Sequence, residues 1–553
     1  MGRYTVGVDF GTLSARALVV DADTGRELAD AAMDYPHGVM TQALPDGTPL
    51  GPDWALAHPG DYLACLGTVI PEALKRAGVR AGDVAGLGID ATSSTALPVD
   101  GNNAPLCLKP EFARKPHAWM MLWKHHAAQD HADRMTDLAH RRGDAFLERY
   151  GGRVFSEWLF PRLWQILKEA PEVYAAADRF IDVGDWLVQR ITGTDTRAGG
   201  IAGYKCFWNR AEGFPEAFLA AVDPRLAAAP RDKLRGTIKP IGSLAGRVTG
   251  AGSALTGLVP GTPVAAANID AHVSMPALGR AEPGDLMMIL GTSGCHILVG
   301  DALRCVPGIC GVVDGGILPG MIGYEAGQSC LGDMFAWYVD HGCPAYVHEA
   351  ARAGGMDAHR WLTDRAARLR PGESGLMALD WWNGNRSVLA DAGLTGLMLG
   401  MTLSTRPEEI YRALIEATAY GTRVILENFE RNGVPVKRVF ACGGIARKNP
   451  LLLRIYADVL DREISVVRTS QAGALGSAIF AAAAAGLYPS VAEAAGRMGG
   501  VGDEISAPDP DHVRLYDALY REYLALHDHF GRGGSDAMKR LRRIREAACR
   551  FTP

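Results

Sequence analysis

The same strand-turn-strand pattern occurs twice in this chain, once at its start and once past its middle. Tyr4 to Val20 is apolar on either side of Gly11-Thr12-Leu13-Ser14, and Asp285 to Val299 is apolar on either side of Gly291-Thr292-Ser293. Two apolar runs joined by a short Gly-hydroxyl turn form a β-hairpin. A repeated supersecondary unit usually carries a repeated architecture, so each hairpin is expected to open a lobe of its own. The predicted fold class is therefore α/β: two related lobes, each a sheet covered by helices, with a cleft between them.

The 553 residues are 48% hydrophobic and 22% charged, which supplies ample material for such cores and excludes a disordered or fibrous chain. A formal net charge of −5 gives no overall attraction to nucleic acid or to an anionic membrane, so neither is an expected partner. Charges, Gly and Pro interrupt every apolar stretch before it could cross a bilayer. The first residues enter a strand pattern at once, so no signal peptide is expected, and Val6 stands where a myristoylation motif needs Ser or Thr. The cysteines are scattered, without C-x-x-C pairs or zinc spacing, as suits reduced thiols in a cytoplasmic protein.

In the first half, Val84 to Asp90 and Val264 to Ile269 read as buried strands that deliver polar groups at their C-terminal ends, Thr92-Ser93-Ser94-Thr95 and Asp270. The Gly- and Pro-containing segment Pro276 to Gly284 marks the boundary between lobes, giving 1–277, 278–530 and a basic tail, 531–553. In that tail Lys539, Arg540, Arg542, Arg543, Arg545 and Arg550 fit a solvated helix face better than a binding patch. In the second half Pro407 to Asn432 carries the start and stop signals of a long helix. Arg438 to Cys442 is a strand, and Asn449 caps a helix beginning at Pro450. Ala472 to Gly486, rich in small residues, is a helix suited to close packing.

The hairpins also carry chemistry. Asp9 ends the first strand beside a turn whose N–H groups, with the Thr12 and Ser14 hydroxyls, can hold phosphate oxygens. A carboxylate there repels phosphate unless Mg²⁺ stands between them. Gly291-Thr292 offers the same turn; a plain hairpin explains either alone, but two together less well. No Walker loop or protein-kinase motif set occurs, and Gly86-Leu87-Gly88 lies within a strand, which a dinucleotide fingerprint does not. Asp270, at a strand end, suits a base that accepts the proton of an alcohol attacking a γ-phosphoryl group, or a cap of the following turn.

With Val8-Asp9-Phe10-Gly11-Thr12-Leu13-Ser14-Ala15-Arg16, Ile269-Asp270-Ala271-His272, Gly323-Tyr324-Glu325-Ala326-Gly327-Gln328-Ser329, Asp380-Trp381-Trp382-Asn383-Gly384 and Gly443-Gly444-Ile445-Ala446-Arg447-Lys448-Asn449 in order, the chain resembles the FGGY carbohydrate kinases from Tyr4 to about Leu526. The resemblance implies two ribonuclease-H-like, actin-like lobes, with sugar held mainly by the first and ATP between the two. It implies Asp270 as catalytic base and Asp9 as the acid near Mg²⁺. It places phosphate at Gly11, Thr12, Ser14, Arg16, Gly291 and Thr292, and adenosine at Gly443, Gly444 and Asn449. Ser93, Trp123, Lys205, Asp270 and Glu325 match positions that contact a ketopentose. The activity so implied is ATP-dependent phosphorylation of a small sugar, foremost L-ribulose to L-ribulose 5-phosphate, with D-ribulose and ribitol as alternatives, by a cytoplasmic homodimer. His125 departs from the pattern, where relatives commonly carry Asp, and removes a carboxylate expected on the sugar side. An actin- or chaperone-like ATPase is the competing reading; it explains both loops but leaves Trp123, Lys205 and Glu325 without a task.

Overall fold

The computed structural model describes residues 3–549; Met1, Gly2 and Arg550 of the basic tail lie outside them. Both hairpins form as expected and each is the centre of a sheet. The first is β1 (Tyr4–Phe10) and β2 (Ser14–Asp21), followed by β3 (Glu27–Asp34), β4 (Val84–Ala91), β5 (Leu244–Arg247), β6 (Pro263–Ala265) and β7 (Asn268–Ile269). Their order is β5-β6-β4-β1-β2-β3, with β7 also pairing with β4. The second sheet contains β8 (Asp285–Leu290), β9 (Gly294–Gly300), β10 (Gly311–Asp314), β11 (Ile322–Gln328), β12 (Arg438–Cys442), β13 (Ile464–Val467) and β14 (Val501–Ser506). Its order is β10-β11-β9-β8-β12-β13-β14.

The two orders correspond. In each, the hairpin and the next strand pair antiparallel, and the first hairpin strand pairs parallel with a strand from later in the lobe, β1 with β4 and β8 with β12. Parallel pairing needs long crossovers, and these supply the covering helices. They include α1 (Pro59–Ala77), α2 (Val183–Thr192) and α3 (Gly199–Lys205) in the first half. The second half adds α4 (Pro407–Arg431), α5 (Pro450–Leu460), α6 (Ala472–Ala484), α7 (Pro510–Gly531) and α8 (Ala537–Cys549).

Helix α6 shows why the lobes pack as they do. It lies on β1 and β4 of the first sheet although it follows β13 of the second, and its Ala474, Leu475, Ala478 and Ile479 share one core with Val6, Val8, Ile89 and Phe440. The contact is backbone to backbone: a Cβ on Gly7 would lie 1.8 Å from the Ala474 carbonyl oxygen, and one on Gly88 2.0 Å from that of Ser477. Gly86 and Gly88, inside β4, thus serve helix-on-sheet packing, as their position within a strand suggested. The second sheet has its own core, and a third, around Trp158, Phe160, Leu163, Phe207 and Phe218, belongs to an insertion beside the first sheet.

Candidate active site

Sheet register brings the first carboxylates together. Asp9 on β1 is paired directly with Asp90 on β4, and Asn268 on β7 is in turn paired with Asp90, so Asp270 follows two residues on. The Asp270 amide donates to the Ala91 carbonyl at 3.1 Å, and Oδ1 of Asp270 accepts from the Ala271 amide at 2.8 Å. Burial, helped by the Asp9 charge, pushes the Asp270 carboxyl up to about 7. Asp9 and Asp90 stand side by side, and burial raises both carboxyls, Asp90 further because the Asp9 charge is beside it. Ser477 Oγ, from α6, donates to Asp90 Oδ2 at 2.6 Å, while Oδ1 is buried without a partner. This set of hard oxygen donors, one of them unsatisfied, fits a magnesium ion.

Across the cleft, Lys205 at the end of α3 reaches Glu325 on β11, with Nζ 3.1 Å from both carboxylate oxygens and both side chains buried. His272 Nε2 lies 3.1 Å from Glu325 Oε2, and Arg386 Nη2 donates to Glu325 Oε1 at 3.2 Å and to Glu157 Oε1 at 2.9 Å. Burial alone would raise the Glu325 carboxyl; Lys205, His272 and Arg386 outweigh it and hold the group well below the usual carboxylate range. Burial lowers the His272 imidazole against the pull of Glu325, and the Tyr204 ring stands edge-on 4.4 Å away.

Both turns open on Gly-Thr and are closed by the glycine amide, the second being one residue shorter. The amide of Gly11 donates to the Ser14 carbonyl at 3.0 Å, and that of Gly291 to the Ser293 carbonyl at 3.1 Å. Thr12 Oγ1 accepts from Trp123 Nε1 at 3.1 Å. Arg16 turns aside from its loop to donate to Gln471 Oε1 at 2.7 Å, at the start of α6. Gly443, at φ +98°, follows β12 where a Cβ would lie 2.5 Å from the Leu290 carbonyl oxygen beside the second loop; Gly444 faces open space. Asn449 caps α5, its Oδ1 accepting from the Leu452 amide at 3.1 Å. Ser93 stands slightly apart, donating from Oγ to Asp182 Oδ2 at 3.1 Å, with no hydrogen bond to the Lys205–Glu325 group among the described residues.

A cavity of about 900 Å³ meets this cluster at Trp123, Glu157 and Arg386. Its far wall is α8, which is more than a solvated basic face. Met538 is buried, Lys539 pairs with Asp391 at 2.5 Å and Arg542 donates to the Ala392 carbonyl at 2.9 Å. His125 also departs from expectation: its ring is buried edge-on to Trp54 and accepts from the Ala55 amide at 3.3 Å, inside the first lobe and outside the charge cluster. The group His37, His58 and Asp61 has metal-ligand types, but His37 Nδ1 is bonded to Asp61 Oδ1 at 2.7 Å and His58 Nδ1 accepts from the Gly60 amide at 3.1 Å, which makes it a helix cap.

Sequence reasoning overlooked Asp90, Glu157 and Arg386. Asp90 had a signal, a carboxylate inside an otherwise apolar buried strand; Glu157 and Arg386 had none, being isolated charges in loops.

The sequence profile of the FGGY family of carbohydrate kinases matches twice, its N-terminal domain over residues 4–278 and its C-terminal domain over residues 286–485. A protein of Geobacillus thermodenitrificans named ribulokinase is 53% identical over 552 residues, 99% of this chain and 98% of that one. One of Mycolicibacterium smegmatis with the same name is 49% identical over 549 residues, 99% and 97% of the two chains. Among solved structures, a ligand-bound xylulose kinase from Lactobacillus acidophilus superposes with a TM-score of 0.79 at 16% identity, covering 96% of this chain and 99% of that one, a likeness of fold. With both halves matched and the relatives alike from end to end, the chain belongs to the FGGY family of carbohydrate kinases.

Proposed function

We propose that this ATP-dependent sugar kinase transfers the γ-phosphoryl group of ATP to the 5-hydroxyl of L-ribulose, giving L-ribulose 5-phosphate and ADP. The observation that carries the reading is the buried Lys205–Glu325 pair, joined across the cleft beside Asp270. A carboxylate and an ammonium group so placed can bond several hydroxyls of a small sugar, and an ATPase that only changes shape has no use for them. The name ribulokinase on relatives near 50% identity over almost the whole chain supports the choice of sugar.

In this reading Asp270 draws the proton from the attacking hydroxyl. A carboxyl pushed up to about 7 holds and releases a proton near neutrality, which favours general-base catalysis. Lys205 and Glu325 orient the sugar, Trp123 covers its apolar face, and Ser93 closes the far side. The amides of Thr12 and Thr292, in turns closed by those of Gly11 and Gly291, hold phosphate oxygens, with Ser14 and Arg16 behind the first turn. Gly443 and Gly444 leave room for adenosine, next to the Asn449 cap. Asp9, backed by Asp90, would hold Mg²⁺, which when bound offsets charge on the phosphates. The lobes are taken as 1–277 and 278–530, in a cytoplasmic homodimer, a state that light scattering decides.

The test is ADP release across L-ribulose, D-ribulose, ribitol, hexuloses and glycerol, with the phosphorylated product identified. L-ribulose is expected to give the highest kcat/KM. Sugar-independent ADP release without a phosphorylated sugar would overturn the kinase reading, and a higher value for D-ribulose or ribitol would overturn the choice of sugar.

A further inference from the structure

The two phosphate turns, both opening on Gly-Thr, differ in what reaches the threonine hydroxyl. The first is pinned from below, because the Tyr35 amide donates to the Leu13 carbonyl at 2.8 Å and Tyr35 Oη to that of Gly11 at 3.1 Å. Its Thr12 hydroxyl is reached by a single side chain among the described residues, the indole of Trp123, at 3.1 Å. Thr292, the counterpart in the second turn, receives no side-chain donor among the described residues; its backbone carbonyl instead accepts from the amides of Leu331 and Asp333 at 3.0 and 3.2 Å. The direction of the Trp123 bond is fixed by chemistry. An indole N–H can only donate, so Thr12 Oγ1 accepts. The hydroxyl then has one lone pair filled, its rotation is restricted, and its proton is left for another acceptor.

We propose that Trp123 is a positioning residue that aims the Thr12 hydroxyl at the transferring phosphoryl group and so makes the grip on ATP depend on the sugar. The inference rests on the ketopentose-kinase reading, in which the face of the same indole lies on the sugar. Occupancy of the sugar site holds the ring, the ring holds the hydroxyl, and the hydroxyl donates to a phosphate oxygen. Lys124, with Nζ 5.2 Å from the Trp123 ring centroid, adds positive charge on the same side. By linkage the dependence is reciprocal, so nucleotide tightens sugar binding by the same factor.

Calorimetric titration of L-ribulose with and without a non-hydrolysable ATP analogue reads the coupling as a ratio of dissociation constants. Trp123→Phe keeps the ring and removes the N–H; it is expected to reduce the ratio about five-fold, the effect of one ordinary hydrogen bond. Thr12→Val is expected to do the same, the double variant no more than either single one, and Thr12→Ser to retain coupling. An indole that serves packing alone would weaken sugar binding equally with and without the analogue; an unchanged ratio in Trp123→Phe, or no coupling in the unsubstituted protein, would overturn the proposal. An unsubstituted protein that binds no L-ribulose would instead overturn the choice of sugar on which the proposal rests.

Discussion

Replacing Glu325 with Gln keeps the shape of the side chain and removes its charge. In the folded protein that carboxylate is bonded to Lys205, His272 and Arg386, each at 3.1 to 3.2 Å, and all of these side chains are largely buried. An amide retains a single acceptor oxygen, so either Arg386 or His272 loses its bond, and Lys205, left with a neutral acceptor, becomes a buried cation without a directly bonded anion. Breaking a buried ion pair in this way costs about 3–5 kcal/mol. Arg386 keeps Glu157 at 2.9 Å, and the Glu157 charge also reaches Lys205, which places the loss at the lower end, ~3 kcal/mol.

The lobes share a core through α6, which couples their unfolding. With about 2.1 cal/mol/K of unfolding entropy per residue, a chain of 553 residues gives roughly 1.2 kcal/mol/K, so the loss appears as a fall in Tm of about 2–3 °C. The readouts are differential scanning calorimetry near neutral pH and again in acid. Glu325 titrates well below the usual carboxylate range in the folded protein, so its stabilisation is present above the unfolded carboxylate value, ~4.3, and is lost as the pH falls through the folded value. Glu325→Gln is therefore expected to lie below the parent near neutrality and to converge with it in acid. Lys205→Met combined with Glu325→Gln should recover part of the loss, since the stranded cation is gone. Equal melting temperatures near neutrality would refute the argument, because the pair would then not be buried and closed in solution.

Asp270→Asn should bind nucleotide and sugar while losing about 10²–10⁴ in kcat, the usual contribution of a positioned base. In the parent protein kcat/KM for the sugar should rise with pH through a midpoint of about 7, where the raised carboxyl ionises, and the residual rate of Asp270→Asn should lack that step. Gly88→Ala would place a Cβ 2.0 Å from the Ser477 carbonyl oxygen, forcing α6 off β4, and should lower stability by ~3 kcal/mol or more in thermal unfolding. Asn449→Ala removes the α5 cap and should cost about 1 kcal/mol by the same measurement.

Much of the framework was legible because it depends on local rules. The hairpins, the strand ends at Asp90 and Asp270, the Asn449 cap and the small-residue helix were readable from spacing and turn chemistry, and all occur as expected. Val264 to Ile269 was read as one strand and forms two short ones, Pro263–Ala265 and Asn268–Ile269, both beside β4. The site was legible only where a residue sat in a recognisable motif. Arg386 and Glu157 are brought together by tertiary packing, and no periodicity announces a pair separated by so much chain.

His125 shows the same limit from the opposite direction. Its place next to Trp123 and Lys124 in the chain suggested the sugar side, but two residues along an irregular segment suffice to turn a side chain into the lobe. There the nearest charge is Arg162, fully buried and held by carbonyl oxygens of Ser94, Met121, Leu122 and His125 itself. Burial lowers the Arg162 guanidinium to about 10, and no carboxylate touches it among the described residues. A carboxylate at position 125 would therefore act on this buried cation and on the rigidity of the segment that carries Trp123, away from the Lys205–Glu325 pair. His125 thus bears on how firmly the segment carrying Trp123 is held, and through the Trp123 indole on the Thr12 hydroxyl it donates to.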